Sequence, residues 1–153
     1  MLMSDYKFEG NFLYYVRLIK RLYENTLSTA GEELGLSLPE ADVLCFLREN
    51  PEFDTARDVA LYRDVSRAYV SKAVESLVAK GYLTIFQDKS DRRLQHLVIS
   101  DKATHAAETL HKAQFDFYDT VTATLSHDEI DMLLSLIGKC AANLEVVNSS
   151  YPI

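Results

Sequence analysis

Apolar residues recur at helical spacing near the start of the chain and predict one long helix over roughly residues 6–30. Gly31 and Gly35 follow this stretch and are expected to break the helix. The apolar stripe consists of Phe8, Phe12, Tyr15, Ile19, Leu22 and Leu27. A helix of this length with one continuous apolar side needs a large surface to pack against.

Capping residues predict two shorter helices next. Ser37 and Glu40 have the spacing of a capping box ahead of an apolar set, and Pro51 is expected to end that helix. Thr55 then begins a short helix that reaches about Leu61.

A fourth helix starts at Ser66, whose hydroxyl can cap it, and stops at Gly81, where a positive φ costs glycine little. Its apolar residues fall at i, i+4, i+7 and i+8, so one side is expected to face a core. The residues predicted to be buried are Val70, Val74, Leu77 and Val78.

Two stretches with alternating apolar residues follow Gly81 and predict antiparallel strands. The connection between them, residues 87–93, is short enough for a hairpin and ends in Asp91, Arg92 and Arg93. Two helices joined by a turn, then a hairpin with a basic tip, form the layout of a winged helix-turn-helix module.

Two long helices are predicted to close the chain, one over roughly residues 102–124 and one from a capping box at Ser126 and Glu129. The predicted fold class is therefore mainly α, with one β-hairpin wing. We predict a winged helix-turn-helix DNA-binding domain over residues 37–101 and a helical dimerisation region from residues 1–36 and 102–153. A twofold homodimer is expected to bury the apolar faces that so small a module cannot cover.

The net charge of −7 argues against a protein that binds nucleic acid through its whole surface. Residues 63–102, however, hold eight basic and five acidic residues, a balance of +3. The rest of the chain holds eight basic and eighteen acidic residues, a balance of −10. Positive charge therefore gathers on the predicted reading module.

The exposed positions early in the fourth helix are the first candidates for contacts with DNA. In a helix-turn-helix, the second helix enters the major groove by its N-terminal end, where small, hydrogen-bonding and cationic side chains suit base edges and phosphates. The candidates are Ser66, Arg67, Ala68, Tyr69, Ser71 and Lys72. An ordinary solvated face is the alternative, and Tyr69 could instead pack on the hairpin.

The hairpin tip supplies the second set of candidates, Asp91, Arg92 and Arg93. An arginine at a wing tip can enter a narrow minor groove, where the negative potential is deepest. Asp91 is expected to hold one arginine in a fixed orientation through a bidentate pair. A solvated turn with surface ion pairs is the alternative.

The chain resembles the MarR family (multiple antibiotic resistance regulators) of winged helix-turn-helix repressors. The resemblance rests on VSRAYVSKAVESLVAKGYL, on the wing DKSDRRLQHLVIS and on DKA at the start of a long helix, and it covers essentially the whole chain. It implies an obligate homodimer that binds a pseudo-palindromic operator. It assigns Ser66, Arg67, Tyr69, Ser71 and Lys72 to the recognition helix. The wing comprises Asp91, Arg92 and Arg93. The family often has arginine where Lys72 stands, and lysine lacks the planar fork that reads guanine at two points.

The resemblance also implies release of DNA when a small aromatic or anionic effector enters a cleft beside the reading module. Aromatic and apolar side chains with a few polar groups suit such a pocket, although a plain core is the more frequent role of such a stripe. The predicted lining is Phe12, Tyr15, Ile19, Phe46, His111 and Phe115.

Other chemistries find little support in the sequence. Cys45 and Cys140 lack metal-ligand spacing and a basic cluster, so inert thiols are expected. We expect no catalytic site, metal site or cofactor, because no phosphate loop, GxSxG motif or histidine pair at i, i+4 is present. His105 and His111, for example, are six residues apart.

No signal peptide or apolar run of membrane-spanning length is present, so we expect a cytoplasmic protein without a membrane partner. The leading interpretation is a sequence-specific transcriptional regulator of double-stranded DNA, most readily a ligand-responsive repressor. The alternative is a winged-helix module that binds another protein and no DNA. The operator, the effector and the regulated genes do not follow from the sequence.

Overall fold

The computed structural model describes the backbone of residues 11–150 and the side chains of residues 11–143. Residues 6–10 of the predicted first helix, including Phe8, lie outside this part. The chain divides into two units, one ending at Phe117 and the other beginning at Tyr118. The division falls within a helix, so that helix contributes to both units.

Helix α1 spans Phe12–Glu33, three residues beyond its predicted end. The predicted break at Gly31 is wrong, because Gly31 is buried inside the helix where α1 meets the next helix. A Cβ at Gly31 would lie 3.0 Å from the Leu36 carbonyl oxygen and 3.3 Å from the Ala41 Cβ. The turn is made instead by Gly35, whose φ is +67°.

Helices α2 (Leu38–Glu49) and α3 (Ala56–Tyr62) follow, and both begin in capping boxes. The box of α2 and the Thr55 cap of α3 are as predicted, and Asp58 completes the second box. In the second box, the Asp58 backbone N–H donates to the Thr55 hydroxyl at 3.2 Å, while the Asp58 carboxylate accepts the Thr55 N–H at 3.1 Å. Each cap satisfies backbone donors that a helix start leaves free, and so fixes where the helix begins.

Helix α4 spans Arg67–Ala79 and ends before Gly81, whose φ is +73°. Its buried side consists of Val70, Ala73, Val74 and Leu77. The prediction for Val78 is wrong, because this side chain is 37% exposed. One residue past Leu77 turns about 100° around the helix, which carries Val78 off the buried stripe and leaves Ala73 on it.

The wing consists of strands β1 (Leu83–Gln87) and β2 (Gln95–Ile99), which pair antiparallel with Phe86 opposite His96. Leu83 and Leu97 are buried, whereas Phe86 is 54% exposed. The hairpin is joined to the α2–α3 loop, because the Leu97 N–H donates to the Asp54 carbonyl at 2.7 Å. The wing is therefore anchored at its base and exposed toward its tip.

A short 3₁₀ turn (Asp101–Ala103) leads into α5 (Thr104–Thr122), and α6 spans His127–Ser150. The predicted capping box of α6 is confirmed, with the Ser126 N–H donating to the Glu129 carboxylate at 2.8 Å. The observed architecture is mainly helical with one antiparallel hairpin, so the predicted fold class is confirmed.

Candidate nucleic-acid interface

The first turns of α4 carry most of the side chains predicted to contact DNA. The Ser66 hydroxyl accepts the Tyr69 N–H at 3.1 Å and so caps the helix. Five of the six predicted residues are exposed at this helix end, namely Ser66, Arg67, Ala68, Ser71 and Lys72. Their side chains are short or cationic, which leaves the helix end open to a large polar partner.

Tyr69, the sixth predicted residue, is placed differently because it is partly buried against the core. It lines a cavity of about 250 Å³ together with Tyr23 of α1 and Asp42 of α2. Burial raises the pKa of the Tyr69 phenol, and the nearby carboxylates of Asp42 and Glu24 raise it further. The start of α4 is thus in contact with a cavity beside α1.

Glu40, a buried carboxylate in the first turn of α2, holds α4 in place. One of its oxygens accepts the Ser37 N–H at 2.7 Å, and the other accepts the Ser76 hydroxyl at 2.6 Å. Lys80 Nζ lies 2.7 Å from that second oxygen. Burial alone would raise the pKa of Glu40, but these bonds to Lys80, Ser76 and Ser37 outweigh it and lower the pKa to about 2.

The capping box at Ser37 and Glu40 is visible in the sequence, but the reach of Glu40 to α4 is not. Glu40 and Ser76 are 36 residues apart, so no local spacing links them. The ionised Glu40 therefore fixes α4 against α2 through contacts that only the fold reveals.

The turn at the wing tip is organised by Asp88. Its carboxylate accepts the backbone N–H of Ser90 at 2.6 Å and that of Asp91 at 2.8 Å. The hydrogen bond from the Ser90 hydroxyl is the largest cause that lowers the pKa of Asp88, so the carboxylate stays ionised. Leu94 closes the turn, with its N–H donating to the Asp91 carbonyl at 2.9 Å.

The predicted bidentate pair between Asp91 and an arginine is wrong. The Asp91 carboxylate accepts the backbone N–H of Arg93 at 2.9 Å, and no ion pair joins it to a guanidinium in the described residues. A short side chain at a turn reaches the backbone two residues ahead more readily than a long, mobile guanidinium. Asp91 therefore shapes the turn and leaves both arginines unpaired.

Three of the eight basic residues in 63–102 contact other groups of the chain. Arg63 lies 3.2 Å from the Asp42 carboxylate, and Lys80 pairs with Glu40. Lys102 Nζ donates to the Lys80 carbonyl at 2.6 Å. Apart from Lys102, five cations of this stretch are exposed and form no ion pair with any residue that the structure describes; they are Arg67, Lys72, Lys89, Arg92 and Arg93. These five lie on the start of α4 and on the wing tip.

His96 on β2 sits between two carboxylates. Its Nδ1 lies 2.7 Å from Asp54 Oδ1, and its Nε2 lies 3.3 Å from Asp88 Oδ2. The hydrogen bond with Asp54, followed by that with Asp88, raises the pKa of the imidazole. Sequence analysis missed this contact, because Asp54 and His96 are 42 residues apart.

The cavity beside Tyr69 is bounded by α1, α2 and the segment from the end of α3 into α4, and Arg63 forms part of its wall. The Arg63 guanidinium carbon lies 5.4 Å from the Phe46 ring centroid, and its Nη2 lies 3.7 Å from Glu49 Oε2. Burial raises the pKa of Asp42, although Arg63 opposes this shift. The polar lining otherwise consists of Lys20, Tyr23, Glu24, Asp42, Tyr62 and Tyr69.

None of the six residues predicted to bind an effector lines this cavity. Phe46 is buried, and the His111 and Phe115 rings meet edge to face at 4.7 Å. The other three, Phe12, Tyr15 and Ile19, lie exposed on α1. Their role in binding an effector stays a prediction.

Burial raises the pKa of the Cys45 thiol to about 12, with Glu49 adding to the effect, so Cys45 is a poor nucleophile. Cys140 is exposed on α6. Among the described residues, no group of three or more metal-ligating side chains converges. No helix in that part of the chain is long and apolar enough to cross a membrane.

A family model described as "MarR family" matches residues 34–94, which run from the end of α1 to the wing tip. The HTH-type transcriptional regulator BilQ of Clostridium symbiosum is 21% identical over 137 residues, covering 90% of this chain and 94% of BilQ.

Solved structures share the fold. A MarR protein from Peptoclostridium difficile superposes with a TM-score of 0.77 at 23% identity, covering 95% of this chain and 93% of that one. A MarR family regulator from Listeria monocytogenes, complexed with a 26mer DNA, gives a TM-score of 0.80 at 17% identity, with coverage of 92% and 94%. The exposed helix end, the basic wing and these matches together lead to one conclusion: residues 34–94 match the MarR family, and the chain has the winged helix-turn-helix fold of solved MarR structures.

Proposed function

We propose that the chain binds double-stranded DNA in a sequence-specific manner, with the start of α4 in the major groove and the wing tip in the flanking minor groove. The observation that carries this proposal is the set of five exposed, unpaired cations on these two elements. Phosphate neutralisation by such cations drives binding to a duplex, and the small side chains between them allow close approach to base edges.

The residues we assign to DNA are those predicted from the sequence, with one division of roles. Ser66, Arg67, Ala68, Ser71 and Lys72 are proposed to face the duplex directly. Tyr69 is proposed to affect DNA binding indirectly, because its side chain is partly buried and lines the cavity beneath the start of α4.

At the wing, Arg92 and Arg93 are proposed to enter the minor groove. Asp91 is assigned an indirect part, because its carboxylate accepts the Arg93 N–H and shapes the turn beneath both guanidinium groups.

The decisive experiment is a binding titration with Arg93→Ala on a fragment selected from the source genome. We expect a loss of affinity of roughly a hundredfold for a dimer that loses two groove contacts. The matched control is Lys112→Ala, which removes the same charge from an exposed ion pair on α5 and should keep wild-type affinity. Retained affinity in Arg93→Ala would mean that the wing does not contact DNA.

We further propose a homodimer that binds a pseudo-palindromic operator and represses transcription. Support comes from the exposed apolar side chains of α1 and α6, each of which needs a partner surface. In this proposal residues 37–101 read DNA, while residues 1–36 and 102–153 form the dimer. Light scattering should give twice the mass of one chain at micromolar concentration.

Response to a small aromatic or anionic effector is proposed as well. The cavity beside Tyr69 supports it, since a ligand there would contact the start of α4 directly. Titration of candidate aromatic acids should quench or shift tyrosine fluorescence in the wild type and not in Tyr69→Phe if the phenol itself binds the ligand.

The alternative function, a winged-helix module that binds a protein, is favoured by one observation. The hairpin exposes Ile85, Phe86, Leu94 and Val98. Selection of genomic fragments separates the two functions, because a module of that kind would enrich no DNA sequence.

A further inference from the structure

His96 lies at the base of the wing and joins three segments of the chain. It is on β2, it contacts Asp54 in the α2–α3 loop, and it contacts Asp88 at the start of the wing turn. Its backbone also bridges to Thr55, the residue that caps α3. No other side chain in the described part of the chain connects the wing turn to that loop through two hydrogen bonds.

The two ring nitrogens both face carboxylate oxygens, which constrains the protonation state. A neutral imidazole has one N–H, so one of the two carboxylates would then face a lone pair. The imidazolium has two N–H groups and can donate to Asp54 and Asp88 at once. The two contacts with Asp54 and Asp88 therefore favour the protonated imidazole of His96.

We propose that His96 is a positioning residue for the wing: its imidazolium ties Asp88 to Asp54 and thereby holds the arginine-bearing tip in its DNA-binding orientation, so that affinity for DNA decreases when the ring loses its proton. This inference rests on the proposed binding of DNA through the wing.

Asp88 is the link between His96 and the arginines. Its Oδ2 faces His96, while its Oδ1 accepts the N–H groups of Ser90 and Asp91. The Asp91 carboxylate in turn accepts the Arg93 N–H at 2.9 Å. A shift of Asp88 would therefore move Asp91, and through Asp91 it would move Arg93.

The two acidic groups in contact with His96 act in the same direction. Asp54 comes from the loop and Asp88 from the wing turn, and both favour the charged ring. Arg48 of α2 lines the same surface groove as Asp54, and its positive charge would oppose the effect of the two acids.

The pKa of His96 is raised above its ordinary value of 6.5. The contribution to binding is therefore complete below that value and is lost as pH rises through the raised pKa.

The test is the affinity for a selected operator fragment between about pH 6 and pH 9 at constant salt, since histidine titrates within this window. We expect wild-type affinity to fall roughly tenfold across it, and His96→Gln to be weaker at low pH and nearly independent of pH. Asp54→Asn should move the midpoint to lower pH, because it removes one acid that favours the imidazolium. The control His105→Gln, an exposed histidine on α5, should keep the wild-type profile.

A charge-retaining variant separates positioning from simple attraction to phosphate. His96→Lys keeps a cation but replaces two ring nitrogens at fixed positions by one flexible ammonium group, so we expect it to stay weak. Recovery of wild-type affinity in His96→Lys would overturn the inference, and so would a wild-type pH profile in His96→Gln.

Hydrogen exchange without DNA distinguishes failure of this inference from failure of the proposed function. At one fixed pH near 6, the Ser90 and Asp91 amides should exchange several times faster in His96→Gln than in the wild type. Faster exchange in a protein that binds no DNA at any pH would refute the DNA-binding proposal and keep the positioning role. Unchanged exchange would refute the positioning role.

Discussion

Residues 37–101, proposed as the DNA-reading module, and the terminal helices α1 and α6 use their apolar side chains in opposite ways. In the module, Val59, Val70 and Leu77 are completely buried. On α1, Tyr15 is 54% exposed, and on α6, Leu134 is 62% exposed. A single chain therefore completes the core of its reading module but leaves the long faces of its terminal helices uncovered. The module buries its own apolar side chains, whereas the apolar surface of the terminal helices would be covered in the proposed homodimer.

A matched pair of leucine substitutions gives the largest expected effect on this comparison. Leu77→Ala should lower the free energy of unfolding by about 2–5 kcal/mol, because it leaves a cavity in a filled core. Leu134→Asp should leave the helical circular dichroism of the chain intact while it weakens self-association, since the side chain is exposed in one chain. Denaturant titration and light scattering measure the two effects. A stable monomeric wild type would contradict the role given to α6.

Glu40→Gln should have the next largest effect, because it removes a buried charge that three residues satisfy. We expect a loss of about 1–3 kcal/mol in the free energy of unfolding, measured at neutral pH. The pKa of Glu40 is lowered from 4.5 to about 2, so its contribution is present above the unfolded value and is lost as pH falls through the folded one.

The control for Glu40 is the free energy of unfolding measured as a function of pH in the acidic range. Wild-type stability should decrease between about pH 4.5 and pH 2, and the difference between wild type and Glu40→Gln should shrink over the same range. A constant difference would mean that the carboxylate charge does not hold α4.

The partly buried ion pairs of Arg63 offer a third comparison within the module. Arg63→Ala leaves Asp42 and Glu49 without their cation and should destabilise the fold by about 1–3 kcal/mol. Arg63→Met fills the space without a charge, and with Asp42→Asn in the same chain it should recover most of the loss. Thermal unfolding of the three variants provides the measurement. Full recovery in Arg63→Met without Asp42→Asn would show that packing rather than charge matters here.

The smallest expected effect compares two valines of α4. Val74→Ala should cost about 1 kcal/mol or more, since Val74 is 6% exposed. Val78→Ala should stay within about 0.5 kcal/mol, because Val78 lies at 37% exposure off the buried stripe. Equal losses for the two would restore the sequence-based assignment of Val78 to the core.

Features set by neighbouring residues could be predicted from the sequence. The capping boxes of α2 and α6, the Thr55 cap, the positive φ at Gly81 and the hairpin are all decided within a few residues. The terminal apolar stripes were also predictable, because their period is a property of one helix.

Features set by residues distant in the chain could not be predicted. Gly31 stays helical because α2 approaches it, and Asp54 meets His96 across 42 residues. Arg63 was counted in the positive charge of residues 63–102, because nothing in its neighbourhood indicates that it pairs with Asp42 and Glu49. Local spacing thus predicts where elements begin and end, but not which polar groups meet between them.

The most direct test of the account is a hydroxyl-radical footprint of the wild-type protein on a fragment selected from the source genome. Two subunits that each present an α4 end and a wing should protect two symmetric half-sites centred about 10 base pairs, or a multiple of that, apart on one face of the duplex. Protection should extend into the minor groove outside each half-site and should disappear there in Arg93→Ala. A single asymmetric site, or an outer footprint that persists in Arg93→Ala, would contradict the central claim.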